Sequence, residues 1–340
     1  MKAAMYYSNR DVRLEEMPRP RIGRGELLVR VMASGICGSD VMEWYRIKTA
    51  PRVLGHEVAG EVAEAGEGMA FRKGDRVFVS HHVPCNTCRH CLRGHHTTCD
   101  TLRKTNFHPG GFAEYIRVPR INVEKGTFLL PGGVSFEQGT FIEPLACAAR
   151  AQRLAGTRPG DTILVLGSGI SGLLHIRLAL ALGAGRVFAT DISDYRLGMA
   201  RKSGALTIRA DGDVPSKLKA LNDGRLADRV IVCTGAEPAA RQALVSAERG
   251  GVIMFFAVPR PGVDVPVPLN DFWKNEIRVM TSYAAAPDDI KKSIELIGSG
   301  RIHVEDMITH RLPLERAGEG FGLVASAGES IKVIIQPHGG

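Results

Sequence analysis

The segment Thr162-Ile163-Leu164-Val165-Leu166-Gly167-Ser168-Gly169-Ile170-Ser171-Gly172 runs from an unbroken apolar stretch into a glycine-rich turn. A continuous apolar run of this kind is expected of a strand buried on both faces of a parallel sheet. Gly172 to Leu182 then reads as an apolar helix. In the pattern Gly167-x-Gly169-x-x-Gly172, the first glycine permits the tight turn and the second lets the backbone approach a pyrophosphate. The third lets the helix pack closely on the strand. The helix start offers unpaired N–H groups and the positive end of its dipole to the phosphate. Arg186 to Asp191 reads as the next strand and ends on a carboxylate 19 residues after Gly172. That is where an acid can accept from the adenosine ribose hydroxyls. The glycine pattern alone also fits a ligand-free turn, but strand, loop, helix, strand and acid occur here in order. Gly167, Gly169, Ile170, Gly172 and Asp191 are therefore the expected dinucleotide site. Asp191 favours NAD over NADP, because it would repel a ribose 2′-phosphate. Arg196 lies close by, placed either to pack on adenine or to meet a phosphate.

Outward from this segment, Arg229 to Cys233 and Gly251 to Phe256 read as further strands at helix-separated intervals. Alternating strands and helices predict an α/β, doubly wound parallel sheet. The N-terminal third differs. Short β-type runs, such as residues 26–33, 58–65 and 76–80, are punctuated by Gly23-Arg24-Gly25, Gly66-Glu67-Gly68 and Lys73-Gly74-Asp75. That spacing suggests a β-rich, barrel-like domain. Residues 137–155 read as helix and mark the change of pattern. The last fifty residues hold a helix near 288–298 and a strand at 331–335, and this tail can close either domain. A chain of 340 residues is expected to divide into two domains.

Hydrophobic content of 44% and charged content of 24% are those of a globular protein. The formal charge is +8, but Lys and Arg are spread along the chain with no run of five or six, and only Arg19 to Arg24 is locally dense. This argues against nucleic acid and for a surface that favours anionic cofactors. No apolar stretch is long enough for a bilayer span. Met1-Lys2 leads directly into a strand-like segment with no targeting pattern, so a cytoplasmic location and no membrane partner are expected.

Four of the seven cysteines form Cys85-x2-Cys88-x2-Cys91-x7-Cys99. A thiolate quartet satisfies zinc completely, which makes it a structural site. Two disulfides are the alternative. The absence of a secretory signal and the odd remainder, Cys37, Cys147 and Cys233, argue against them. A second constellation is Cys37, His56, Glu57 and Glu143. Taken singly, each has an ordinary reading as a buried thiol, a core imidazole or a capping carboxylate. Together, one thiolate, one imidazole and one carboxylate would make an open zinc site with a position left for water or a substrate oxygen. Zinc in such a site acts as a Lewis acid toward a bound alcohol.

These pieces occur in one order: Cys37-Gly38-Ser39-Asp40, Gly55-His56-Glu57-Val58-Ala59-Gly60, Gly74-Asp75-Arg76-Val77, the quartet, Gly111-Phe112-Ala113-Glu114-Tyr115, Glu143-Pro144-Leu145 and the glycine fingerprint. The chain thereby resembles the zinc-dependent medium-chain dehydrogenases, the superfamily of alcohol, polyol and threonine dehydrogenases. The resemblance implies a GroES-like catalytic domain over 1–145, to which 286–340 returns, and a Rossmann NAD-binding domain over 146–285. It implies two zinc ions per chain and NAD. Cys37, His56 and Glu143 are its catalytic zinc ligands, with Glu57 a neighbouring partner or an exchanging ligand. Ser39 would pass the substrate proton onward, and Asp40 would orient the His56 imidazole. Glu143-Pro144-Leu145 looks like the sorbitol and threonine dehydrogenase branch.

Two details bear on the substrate. Many relatives carry a histidine where this chain has Met42, so the proton route differs, through Glu43, the cofactor ribose or water. His82 resembles the His-x-x-Cys arrangement of threonine dehydrogenases, with His81 as the alternative partner. Trp44, Tyr45 and Arg46 are expected to line the cleft. The expected activity is NAD-dependent oxidation of a secondary alcohol in a polyol, sugar, cyclitol or amino alcohol, by a homodimer or homotetramer. L-Threonine 3-dehydrogenase is the second reading. A non-catalytic, zinc-stabilised nucleotide-binding protein is the reading from another class, and the intact set Cys37, His56 and Glu143 stands against it.

Overall fold

The computed structural model describes residues 1–68 and 70–339. The chain forms two compact units, one of Met1–Pro144 with Ala285–Gly340 and one of Leu145–Ala284.

The second unit is a six-stranded parallel sheet made of β1 (Thr162–Leu166), β2 (Arg186–Asp191), β3 (Leu206–Arg209), β4 (Ala227–Val232), β5 (Ala247–Phe255) and β6 (Arg278–Thr281). Its spatial order is β3-β2-β1-β4-β5-β6, with every neighbouring pair parallel. The order reverses beside β1. In open α/β sheets the ligand crevice lies outside the carboxyl ends of the strands at that reversal. All five residues of β1 are buried, as its apolar run requires. Leu164 and Leu166 pack with Phe188, Val230, Val232 and Ile253 in one core. β4 and β5 begin two and four residues before the runs read from the sequence. A register shift between Ala227 and Arg229 accompanies this extension. β3 and β6 were not anticipated. Both are four-residue edge strands with mostly exposed or half-exposed side chains, so they carry no apolar run.

The first unit is built on a mixed sheet. Along it, in order, lie Ile308–Pro313, Lys332–Gln336, Leu27–Gly35, Glu57–Ala65, Arg76–Ser80 and Thr127–Leu129, and Tyr115–Val118 pairs onto Leu27–Gly35. Val29, Val31, Val58, Val62, Val77 and Val79 alternate inward and form its core with Phe107 and Ile116. Lys332–Gln336 runs antiparallel to Leu27–Gly35 through Ile334 and Gly35, so the C-terminal tail closes this unit. The helix expected over 137–155 is two helices, Phe136–Gly139 and Ile142–Ala155. The first begins with a capping box in which Ser135 and Gln138 satisfy each other's backbone N–H groups. Among the described residues, no helix is long and apolar enough to cross a membrane.

Candidate active site and metal centres

The glycine loop leaves β1 and enters α1 (Ile170–Ala181). Gly167 has φ of +96°, a left-handed conformation that suits glycine. A side chain at Gly172 would strike the Gly167 carbonyl, so the close approach of helix and loop requires glycine there. At Gly169 an added Cβ would meet only the Arg196 guanidinium, at 4.0 Å, so the loop keeps an open cradle beside a cation. No side chain caps the start of α1. Its first N–H groups are available to an anion, as pyrophosphate binding needs. Asp191 is buried, and its two carboxylate oxygens accept from Ser168 N (2.8 Å) and Ser193 N (2.9 Å). The acid is thereby held at the end of β2. The Arg196 Nε is buried without a hydrogen-bond partner among the described residues. These features fit a dinucleotide.

In the quartet, the sulfur separations are 3.6 Å for Cys88–Cys91, 3.6 Å for Cys85–Cys99 and 3.9 Å for Cys85–Cys91. A tetrahedron with Zn–S bonds of about 2.3 Å has edges of about 3.8 Å. The four sulfurs therefore fit one zinc ion. Hydrogen bonds from Thr87 and from the backbone of Thr87 and Cys88 pull the Cys85 thiol down to about 5, while burial pushes Cys91 up to about 12. A shared dication is what allows all four to be thiolates together. The Lys125 ammonium donates to the Cys85 carbonyl at 2.6 Å and ties the lobe to the helix Arg120–Gly126.

The second donor group consists of Cys37, His56 and Glu57, whose ligand atoms lie within 4.8 Å of one another. Cys37 follows the end of Leu27–Gly35, and His56 and Glu57 stand where Glu57–Ala65 begins. Gly35 pairs with Glu57 across the ladder, so strand pairing brings residues twenty apart in sequence together. A tight turn follows Cys37, with Asp40 N bonded to Cys37 O at 2.9 Å. Asp40 is fully buried. Its Oδ2 accepts from Cys37 N at 3.1 Å, and its Oδ1 lies 3.3 Å from His56 Nδ1. The imidazole is thus oriented through Nδ1, which leaves Nε2 as the nitrogen for a metal. Burial disfavours the imidazolium, yet the Asp40 carboxylate and the Cys37 sulfur outweigh it and hold His56 well above its ordinary value. Burial likewise opposes the Asp40 carboxylate, but His56, Arg46 and the Cys37 N–H keep it below the usual range. One sulfur and one imidazole backed by carboxylates are a donor set suited to zinc. Glu143 is buried in the first turn of Ile142–Ala155 and is not a member of this close group.

Lys332 is the residue the sequence reading missed. It opens the last strand of the sheet and forms a buried ion pair with Glu57. Its ammonium also lies 3.4 Å from the Thr140 carbonyl and 5.0 Å from the centre of the Phe141 ring. A side chain at Gly35 would overlap both Glu57 and Lys332, so this pair occupies the space that the glycine leaves. The available signal was a lysine inside the otherwise apolar run Ile331-Lys332-Val333-Ile334-Ile335.

Around this centre, the His81 ring lies 4.8 Å from His56 and 3.8 Å from His82, centre to centre. The buried Asn122 amide holds the histidine loop by donating to the carbonyls of Ser80 and His81. Burial, together with His56 and Arg46, lowers His82 to about 4, so it is a neutral imidazole at physiological pH. Trp44 is 40% exposed on the short helix Glu43–Arg46. The Glu43 carboxylate accepts from Asn9 N at 2.9 Å, and Arg46 bonds Ser39 and Asp40.

Comparison with known proteins agrees with this geometry. Residues 23–127 match the alcohol dehydrogenase GroES-like domain, and residues 171–299 match the zinc-binding dehydrogenase domain. The chain is 31% identical to the sorbitol dehydrogenase of Bacillus subtilis, over 99% of this chain and 98% of that protein. It is 35% identical to the L-threonine 3-dehydrogenase of Bacillus velezensis, over 95% of each. A zinc-binding dehydrogenase from Sinorhizobium meliloti, solved with NADP bound, superposes with a TM-score of 0.87 at 30% identity and covers 99% of both chains. The chain belongs to the zinc-dependent medium-chain dehydrogenase family, in its sorbitol and threonine dehydrogenase branch. It is an oxidoreductase acting on CH–OH groups.

Proposed function

We propose that this enzyme oxidises the secondary alcohol of a polyol, sugar, cyclitol or amino alcohol to a ketone and uses NAD as its acceptor. The observation that carries the reading is the convergence of Cys37 and His56 beside the Glu57 carboxylate in one close group, with Asp40 on the imidazole. When bound, zinc supplies Lewis acidity toward the substrate hydroxyl and NAD accepts the hydride. The net change is CH–OH and NAD to C=O, NADH and one proton.

Cys37 and His56 are two of the catalytic zinc ligands. Glu143 is the third by resemblance to the family's ligand set, and the buried ion pair of Glu57 with Lys332, costly to break, supports it over Glu57. Asp40 fixes the tautomer and orientation of His56. Ser39 accepts the substrate proton while passing its own onward, and Trp44 with His82 contacts the substrate. The proton leaves through Glu43, the cofactor ribose or water, and Asn9 N engages one of the two Glu43 oxygens. Gly167, Gly169, Ile170 and Gly172 cradle the pyrophosphate, Asp191 takes the adenosine ribose, and Arg196 meets a phosphate. Cys85, Cys88, Cys91 and Cys99 hold the structural zinc. Among the described residues, β6 has an open edge, with Val279 and Trp273 exposed near it, which supports a homodimer or homotetramer. The cytoplasm is the compartment in which a reduced quartet and NAD coexist.

L-Threonine 3-dehydrogenase is the second reading, favoured by His82, which stands three residues before Cys85 with its ring on His81. The test is NADH formation by zinc-loaded enzyme, with NAD and NADP compared, on sorbitol, xylitol, inositols, butane-2,3-diol and L-threonine. Turnover on polyols with NAD is expected. Turnover on threonine alone would replace the polyol reading. Turnover with NADP only would overturn the role of Asp191.

A further inference from the structure

Arg46 closes the short helix Glu43–Arg46 and turns back on the metal-binding turn. Its Nε donates to the Ser39 carbonyl at 2.9 Å, and its Nη2 donates to the Ser39 hydroxyl at 3.1 Å. The same Nη2 lies 3.4 Å from Asp40 Oδ1, the oxygen that faces His56 Nδ1 at 3.3 Å. The Arg46 side chain is only 15% exposed, and its guanidinium rests 4.8 Å from the centre of the Tyr45 ring. One planar cation therefore bridges Ser39 and the Asp40–His56 pair, two devices that the proposed reaction uses.

The chemistry of guanidinium makes this bridge directional. It has five donors and no acceptor, and it keeps its proton at any working pH. At Ser39 it can only fill a lone pair. The hydroxyl proton must then point away from Arg46, and the second lone pair remains for another donor. Ser39 is thus held in one rotamer, with its proton and its free lone pair on the side opposite Arg46. At Asp40, Arg46 supplies a cationic partner beside the His56 Nδ1, which keeps Oδ1 turned toward His56. A lysine cannot reproduce the fork, since it lacks the fixed Nε and Nη2 pair.

We propose that Arg46 is a positioning residue of this enzyme. It locks the Ser39 hydroxyl toward the substrate and, through Asp40, locks His56 toward the metal. This inference rests on the alcohol dehydrogenase reading for its kinetic consequence, but not for its metal consequence.

The experiment compares the full-length R46M and R46K variants with the parent. One readout is zinc release to a chromogenic chelator, and the other is steady-state kinetics on whichever alcohol the parent turns over. With R46M, one of the two zinc ions should leave about 10–100-fold faster, the range seen when the outer partner of a ligand is lost. The quartet zinc should leave at the parental rate. The kcat should fall at saturating zinc, while the KM for NAD stays within about twofold. R46K should recover zinc retention through its charge beside Asp40, yet keep the low kcat. Parental zinc release and kcat in R46M would overturn the inference. So would accelerated loss of both zinc ions, or a kcat restored by lysine, since either removes the role of the fork. An R46M chain that does not fold leaves R46K to decide on the same readouts. A parent without dehydrogenase activity would sink the functional reading, and the chelator measurement would still judge the link from Arg46 to His56.

Discussion

Lys332, the first residue of the last strand, places its ammonium against the Glu57 carboxylate, and both side chains are 2% exposed or less. The strands that carry them are separated by Leu27–Gly35, and Gly35 contributes no side chain at the crossing point. The pair joins the C-terminal tail to the residue that follows His56. Removing one member leaves the other as an uncompensated buried charge. K332M should therefore destabilise the protein by about 3–5 kcal/mol. The double variant K332M/E57Q should recover much of that loss, because no bare charge remains. Chemical denaturation of all four proteins in a double-mutant cycle measures the coupling. Equal stability of parent and K332M would show that the pair contributes nothing.

The same pair separates the two candidate carboxylates of the catalytic metal. E143A should yield chains with one zinc instead of two after gel filtration, because a ligand is gone. E57Q should still bind two zinc ions when loaded in excess, with the affinity of the second reduced by about 10–100-fold. Metal analysis by atomic emission reads this directly. Two tightly held zinc ions in E143A, and one in E57Q, would make Glu57 the ligand.

What could be read from the sequence was what is local in the chain. The β1 run, the three glycines and Asp191 lie within thirty residues, and at Gly167 and Gly172 the structure shows the backbone requirement that only glycine meets. The quartet is local in the same sense, since its spacing alone brings four sulfurs together. Lys332 was missed because its partner is 275 positions away and the pairing depends on sheet order. Arg46 was read as a cleft residue, although only seven positions separate it from Ser39. Its role depends on how a one-turn helix folds back, and residue pattern does not encode that. Strands β3 and β6 escaped because edge strands need no apolar run.

Asp191 sets a cofactor prediction. Its carboxylate is held rigidly by Ser168 N and Ser193 N and is ready to accept from a ribose diol. A hydrogen bond to a charged group contributes about 1.5–3 kcal/mol. D191A should raise the KM for NAD by about 10–100-fold and leave kcat/KM for NADP unchanged or higher. Steady-state kinetics with both cofactors tests this. An unchanged KM for NAD would remove Asp191 from the site.

His175 sets a pH prediction for the NAD-binding unit. It is fully buried in α1, edge-on to Phe256 at 4.8 Å, with Nδ1 3.2 Å from the Gln152 amide. The neutral ring accepts at Nδ1 and carries its proton on Nε2, which is buried without a hydrogen-bond partner among the described residues, so a second proton would have to go on Nδ1 and face the Gln152 NH2. Burial lowers the group to about 3, against 6.5 for an exposed imidazole. The folded state holds His175 neutral, so between these values the unfolded chain binds the extra proton. Stability from this group is therefore complete above about pH 6.5 and is lost as the pH falls toward 3. At pH 5 the loss amounts to about 2 kcal/mol, at 1.36 kcal/mol per unit below 6.5. H175L carries no titrating group there. The stability gap between H175L and the parent should move in favour of H175L by about 2 kcal/mol between pH 7 and pH 5. Denaturant unfolding at the two pH values, with both proteins zinc-loaded, reads the difference. A gap that does not change with pH would mean that His175 is not held neutral in the fold.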